Sequence, residues 1–170
     1  MTDIAANSPA RMESSSGRLQ PAYLSHVSLP VRDRREAIRF FVNVLGGDLI
    51  HNNEKAGFSE VRLAGTVFGL SEQQGGWTAR DAEYPHYAFE VRPEDFEPLK
   101  AQLEAHGVKT HAIWTRHRVE ALMYFRDPSG NLFEFFCTQG FKNADTLPVA
   151  RSAGGDYHPP IAELSYDWKG

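Results

Sequence analysis

Three side chains in this chain have the types and the placement to hold a divalent metal ion: His26, His86 and Glu134. Glu134 stands in Leu132-Phe-Glu-Phe-Phe-Cys137, a run otherwise apolar or aromatic, which follows the turn Asp127-Pro-Ser-Gly130. Side chains alternate along a strand, so Leu132, Glu134 and Phe136 share one face while Phe133, Phe135 and Cys137 share the other. A carboxylate inside such a strand needs a partner, and a metal ion is a common one. His26 lies in Tyr23-Leu-Ser-His-Val-Ser-Leu-Pro-Val31 and His86 in Pro85-His-Tyr-Ala-Phe-Glu-Val91, sixty residues apart in stretches of similar pattern. Two imidazoles and one carboxylate make a facial triad, which grips a first-row metal on one side and leaves the other open to substrate. The set suits Fe(II) and Mn(II) alike.

The elements that must carry these residues form a repeat. After each histidine strand comes an amphipathic helix. The first is expected over Arg34–Leu45, with Ala37, Ile38, Phe41, Val44 and Leu45 at helical spacing, and the second over Glu94–His106, with Phe96, Leu99 and Leu103. Asp33 suits the first N-cap and Pro93 the second helix's first turn. Gly47 and Gly107, again sixty apart, are expected to terminate the helices. Three strands follow in each copy: 49–52, 58–63 and 67–71, then 110–114, 121–125 and 131–138. The fold class is therefore α+β, two βαβββ modules over 21–73 and 84–140 forming one domain, 21–140. A flexible leader (1–20) precedes it, Gln73–Tyr84 is an exposed linker, and 141–170 is an irregular tail expected to pack on a neighbour through Tyr157, Tyr166 and Trp168. Each module covers one face of its sheet with its own helix, so the other face must meet a second module, in the same chain or in a partner. A homodimer is the expected assembly. His26 and Ser28, His86, Ala88 and Glu90, and Glu134 are placed on the faces turned away from the helices, lining a curved mixed-sheet cleft.

Bulk properties exclude several classes. A net charge of −4 gives no general attraction to nucleic acid or an anionic membrane. No apolar run reaches membrane-spanning length. The single cysteine, Cys137, cannot form a disulfide within the chain. Met1–Gln20 lacks the apolar segment of a secretory signal, so the expected location is cytoplasmic. His51, His106, His111 and His158 are read as solvated.

With His26 in Ser-His-Val-Ser-Leu, His86 in Pro-His-Tyr-Ala-Phe-Glu-Val and Glu134 in Gly-Asn-Leu-Phe-Glu-Phe, the chain resembles the vicinal oxygen chelate superfamily over residues 23–138. That resemblance implies paired βαβββ modules around a metal-bearing cleft. Aligning the modules sets Gly69 where glyoxalase I-like enzymes carry a fourth ligand, which disfavours that activity. Thr115, His117, Met123, Tyr124, Asp127, Pro128, Gly130 and Glu134 resemble the signature of extradiol ring-cleaving dioxygenases. This implies an Fe(II) enzyme cleaving a catecholic ring with O2, with His117 and Tyr124 catalytic. Ser28, Trp114, Arg118, Leu122 and Phe136 are the candidate substrate contacts. Two alternatives stand beside it. One is a fosfomycin-resistance-like thiol transferase that opens an epoxide, similar in Pro-His-Tyr-Ala-Phe and Ala-Gln-Leu-Glu-Ala-His-Gly-Val. In it, the phosphonate-holding lysine and serines are replaced, with Trp114, Arg118 and Leu122 nearby. The other is a metal-free drug-sequestering protein.

Overall fold

The computed structural model describes residues 24–73 and 82–165. The leader, most of the linker, Tyr166 and Trp168 fall outside them. The first module comprises β1 (His26–Val31), α1 (Arg34–Arg39), β2 (Asp48–Asn53), β3 (Phe58–Leu63) and β4 (Thr66–Glu72). The second comprises β5 (His86–Glu90), α2 (Phe96–Ala105), β6 (Ala121–Arg126) and β7 (Leu132–Cys137). Their sheets run β1-β4-β3-β2 and β5-β7-β6. In each, the histidine strand lies parallel to the last strand and the remaining neighbours are antiparallel. The repeat holds at residue level. His26 stands opposite Val67 and Ser28 opposite Gly69, as His86 stands opposite Leu132 and Ala88 opposite Glu134.

Local chemistry explains where elements begin and end. Asp33 caps α1, its Oδ1 accepting the Glu36 N–H at 2.9 Å. The expected helix to Leu45 changes character midway: Phe40–Val44 is a π-helical turn, closed by Leu45 N–H donating to Phe40 O at 3.2 Å. The wider turn lets Phe40, Phe41 and Val44 all face the core. The left-handed terminator is Gly46 (φ +74°) rather than Gly47, whose Cα lies so close to β3 that a Cβ would stand 2.8 Å from Val61 Cγ1. In the second module the expected strand 110–114 reduces to a single bridge, Trp114 to Leu122. The described chain therefore has seven strands.

The core shows which faces of the two modules meet within one chain. Helix-side residues of both modules, among them Leu29, Val31, Phe41, Phe68, Phe125 and Phe133, form one apolar cluster. Phe133 joins the modules, 5.8 Å from Phe41 and 6.3 Å from Phe68 between ring centroids. Within one chain, then, the sheets share a core through their helix sides, and the faces bearing His26 and Glu134 turn away from it. A second cluster covers part of the Glu134 face: Trp114, Leu122, Tyr124 and Leu132 pack beneath Ala150, Ile161 and Leu164, with Tyr157 alongside. The C-terminal segment, as far as residue 165, thus packs on its own chain. It is tied down by Thr115 N–H donating to Pro148 O and Ala150 N–H to Thr115 O, both at 2.9 Å. Among the described residues no helix is long and apolar enough to cross a membrane.

Candidate metal centre

β5 and β7 run side by side, so His86 and Glu134 project from one face of adjacent strands. His86 Nε2 lies 3.2 Å from Glu134 Oε2, with 6 % of the glutamate side chain exposed. The imidazole is oriented from behind: its Nδ1 is 2.9 Å from Glu83 O. A proton on Nδ1, donated to that carbonyl, leaves the Nε2 lone pair free to bind a metal, the usual outer-shell device for a ligating histidine. The neighbouring Glu134 carboxylate raises the proton affinity of His86, against the opposing effect of burial. Tyr124, opposite Glu134 on β6, completes the group. Its Oη donates to Glu83 Oε1 at 2.8 Å, and its ring meets that of His86 edge-on at 5.3 Å. Burial, then the Glu134 charge, push the phenol far above its ordinary value, so it stays a neutral donor.

His86 and Glu134 come together with Tyr124; the third expected ligand does not join them in this chain. His26 is exposed on β1, its Nδ1 2.8 Å from Ser25 Oγ, and Ser28 is exposed beside it. Among the described residues no three His, Cys, Asp or Glu side chains gather to hold a metal ion. What is present, a buried carboxylate facing an oriented imidazole nitrogen, is two of the three donors that a facial triad needs. His117 is exposed in the loop before β6, where its N–H and that of Arg116 donate to the buried Glu120 Oε1, both at 3.2 Å. Arg118 donates to Asp145 O at 2.8 Å. Trp114 and Leu122 lie buried beneath the C-terminal segment, and Phe136 is partly buried under the Arg116 guanidinium, 5.4 Å from its ring centre.

Several contributors carry no sequence signal. Glu83 sits in a loop without periodicity, and its backbone carbonyl is half of its role. His111, expected to be solvated, is instead largely enclosed: its Nε2 accepts the Tyr124 N–H at 3.0 Å. Burial lowers its proton affinity.

Residues 23–135 match the family model described as Glyoxalase/Bleomycin resistance protein/Dioxygenase superfamily. The chain is 32% identical over 112 residues to the glutathione transferase FosA of Serratia marcescens, covering 65% of this chain and 77% of that protein. Among solved structures, the fosfomycin resistance protein FosX from Listeria monocytogenes, complexed with Mn(II) and sulfate, is similar with a TM-score of 0.61. It is 23% identical, with 74% of this chain and 96% of that one covered. A lactoylglutathione lyase from Agrobacterium tumefaciens gives a TM-score of 0.56 at 20% identity, covering 69% of this chain and 94% of that one.

These findings overturn the ring-cleaving reading of the stretch 115–134, because the curated relative is a glutathione transferase, FosA, and the FosX neighbour is a fosfomycin resistance protein. The structure supplies the reason the signature misled. Thr115 Oγ1 accepts the Arg118 N–H at 2.9 Å, and Asp127 Oδ1 accepts the N–H groups of Ser129 and Asn131 at 2.9 and 2.8 Å. Much of that pattern therefore builds a loop and a turn rather than chemistry. Catechol, dioxygen and Fe(II) lose their support with it; the ion in the FosX structure is Mn(II). Repeat, register and the family match agree, and the chain belongs to the glyoxalase, bleomycin resistance protein and dioxygenase superfamily.

Proposed function

We propose that the chain forms a dimeric, Mn(II)-dependent transferase that opens an epoxide on a small oxyanionic substrate by adding a thiol. The observation that carries this reading is the 32% identity to a glutathione transferase over 77% of its length. The pairing of His86 with Glu134 supports it locally.

Geometry favours a site shared between two copies. Among the described residues, β1 and β5 are both edge strands, each paired on one side only. His26 and His86 open these two strands, and the exposed side chains Leu24 and Tyr84 stand two residues before them. An unpaired edge with exposed apolar neighbours invites another chain. Bringing β1 of a second copy beside β5 would deliver the partner's His26 to His86 and Glu134 and complete the facial triad.

A bound divalent ion would polarise the epoxide oxygen as a Lewis acid. The chain's own groups do the rest. Glu83 O holds His86 in the ligating tautomer. The Tyr124 phenol, protonated at neutral pH, turns its O–H from Glu83 to the oxygen released by ring opening. The thiolate sulfur forms a bond to carbon as the C–O bond breaks, and the released oxygen takes up, through solvent, the proton that the thiol lost, ending as a hydroxyl. Arg118, exposed in its loop, is the candidate to meet an anionic substituent, and Phe136 the candidate apolar wall. Trp114 and Leu122, beneath the C-terminal segment, shape the pocket from behind.

The test combines Mn(II)-loaded protein, glutathione and fosfomycin, with metal-free protein as control. The reading expects one adduct per epoxide consumed, seen by phosphorus NMR, only with metal. No adduct from protein shown to hold Mn(II) would overturn it.

A further inference from the structure

At β6 the repeat calls for a partner strand, and a side chain stands in its place. In the first module β2 pairs along the length of β3. In the second, pairing stops after Trp114 and Leu122 exchange hydrogen bonds at 3.1 and 2.9 Å. The next inward-facing position on that edge is Tyr124, and its N–H is taken at 3.0 Å by His111 Nε2. The imidazole acts where a strand carbonyl would. With Nε2 accepting, Nδ1 carries the proton, and it lies 2.8 Å from Ala112 O. From the C-terminal segment Tyr157 Oη reaches the same point, 3.2 Å from His111 Nδ1 and 3.4 Å from Ala112 O. The rings of Tyr124 and Tyr157 flank the imidazole at 6.2 and 6.4 Å.

We infer that His111, held by Tyr157, is a positioning residue of the metal centre, and that the C-terminal segment is thereby part of that centre. A chain of contacts carries the effect. His111 fixes the backbone at Tyr124; Tyr124 Oη fixes the Glu83 carboxylate at 2.8 Å; Glu83 O fixes His86 Nδ1 at 2.9 Å; and His86 Nε2 faces Glu134 at 3.2 Å. The C-terminal segment lies beyond the residues that match the family model, so this chain adds the outer support to the shared site. Only neutral His111 can serve, because a proton on Nε2 would oppose the Tyr124 N–H. The charged and titratable groups around it are Lys100 from α2, Tyr124 from β6 and Tyr157. The consequence for metal rests on the function proposed above; the fixing of Tyr124 does not.

The experiment compares wild type with His111→Ala, His111→Gln and Tyr157→Phe. It reads Mn(II) affinity by electron paramagnetic resonance and protection of the Tyr124 amide by NMR hydrogen exchange. Outer-shell partners of metal ligands are worth about 10–100-fold in affinity. Ala should lose Tyr124 protection and about tenfold in Mn(II) affinity. Gln, whose amide oxygen can accept the same N–H, should restore both. Tyr157→Phe keeps the ring and should weaken Mn(II) two- to threefold, a measure available even where Ala fails to fold. Wild-type affinity and protection in the Ala variant, or no rescue by Gln, would overturn the inference. If wild type bound no Mn(II), the functional reading would fail, and amide protection would still decide whether His111 fixes Tyr124.

Discussion

The chemistry of this chain begins with one residue in the wrong company. Glu134 is buried in an apolar strand, and its partner across β5 is an imidazole that can be neutral or charged. A permanent cation there would make the pair structural. A histidine whose Nδ1 is already occupied by a backbone carbonyl is, on the function proposed above, a ligand beside Glu134. The distinction is measurable. Glu134→Gln keeps the shape and one acceptor oxygen but removes the charge. It should lower Mn(II) affinity by more than about a hundredfold, since it removes a ligand rather than an outer-shell support. Circular dichroism should meanwhile remain that of the wild type. Titration with Mn(II) under paramagnetic resonance checks the first part, and retained affinity would remove Glu134 from the ligand set. This residue was legible in the sequence because a lone charge breaks an apolar alternation. Glu83 was not, because its carbonyl acts through a position that any residue could supply.

Among the elements, the turn Asp127–Gly130 shows how a motif can be read correctly as structure and wrongly as chemistry. Asp127 is fully buried, accepts two backbone N–H groups and the Asn131 amide at 2.8 Å, and Asn131 reaches across to Pro30 O at 3.1 Å. Arg32 N–H donates to Ser129 Oγ at 3.0 Å. The turn thus clasps the end of β1 and joins the two modules. Burial pushes the Asp127 carboxyl up to about 6, the hydrogen bonds only partly offsetting it. A folded-state value above the unfolded one means that, between about pH 4 and 6, the folded protein holds the proton more tightly. This contribution to stability is therefore largest at low pH and declines as pH rises through 6. The two-unit displacement corresponds to about 2–3 kcal/mol. The whole amount is present only below about pH 4, and at pH 5, one unit under the folded value, about 1.4 kcal/mol of it remains. Denaturant unfolding at pH 5 and pH 8 should show wild type gaining on Asp127→Asn by about 1.4 kcal/mol at the lower pH; equal differences at both would contradict it. Periodicity disclosed most elements here, including both helices, and the repeat set Gly69 equivalent to Glu134; the strand pairing agrees, with Gly69 opposite Ser28 as Glu134 stands opposite Ala88. It failed at 110–114 because a side chain, His111, does the work of a strand there, and no pattern in the backbone sequence announces that substitution.

For the whole molecule the question is why the His26 and Glu134 faces, the two halves of the proposed site, point away from each other. Phe41, Phe68, Phe89 and Phe133 bind the modules together through their helix sides, so joining the His26 and Glu134 faces within a chain would mean dismantling the main core. The sequence disclosed that each open face needs a cover but could not say which copy supplies it, because both arrangements use the same modules. A second copy costs no core and finds two free edges, β1 and β5. Complementation distinguishes the arrangements. His26→Ala and Glu134→Ala should each abolish tight Mn(II) binding as separate homodimers. If the two are unfolded and refolded together, half the dimers are mixed. In each mixed dimer, one site would pair the intact His26 of one chain with the intact His86 and Glu134 of the other. About a quarter of wild-type sites should reappear, the statistical yield for a site shared across a twofold dimer. A site built within one chain gives no recovery at any mixing ratio, because every chain in the mixture lacks one of its ligands.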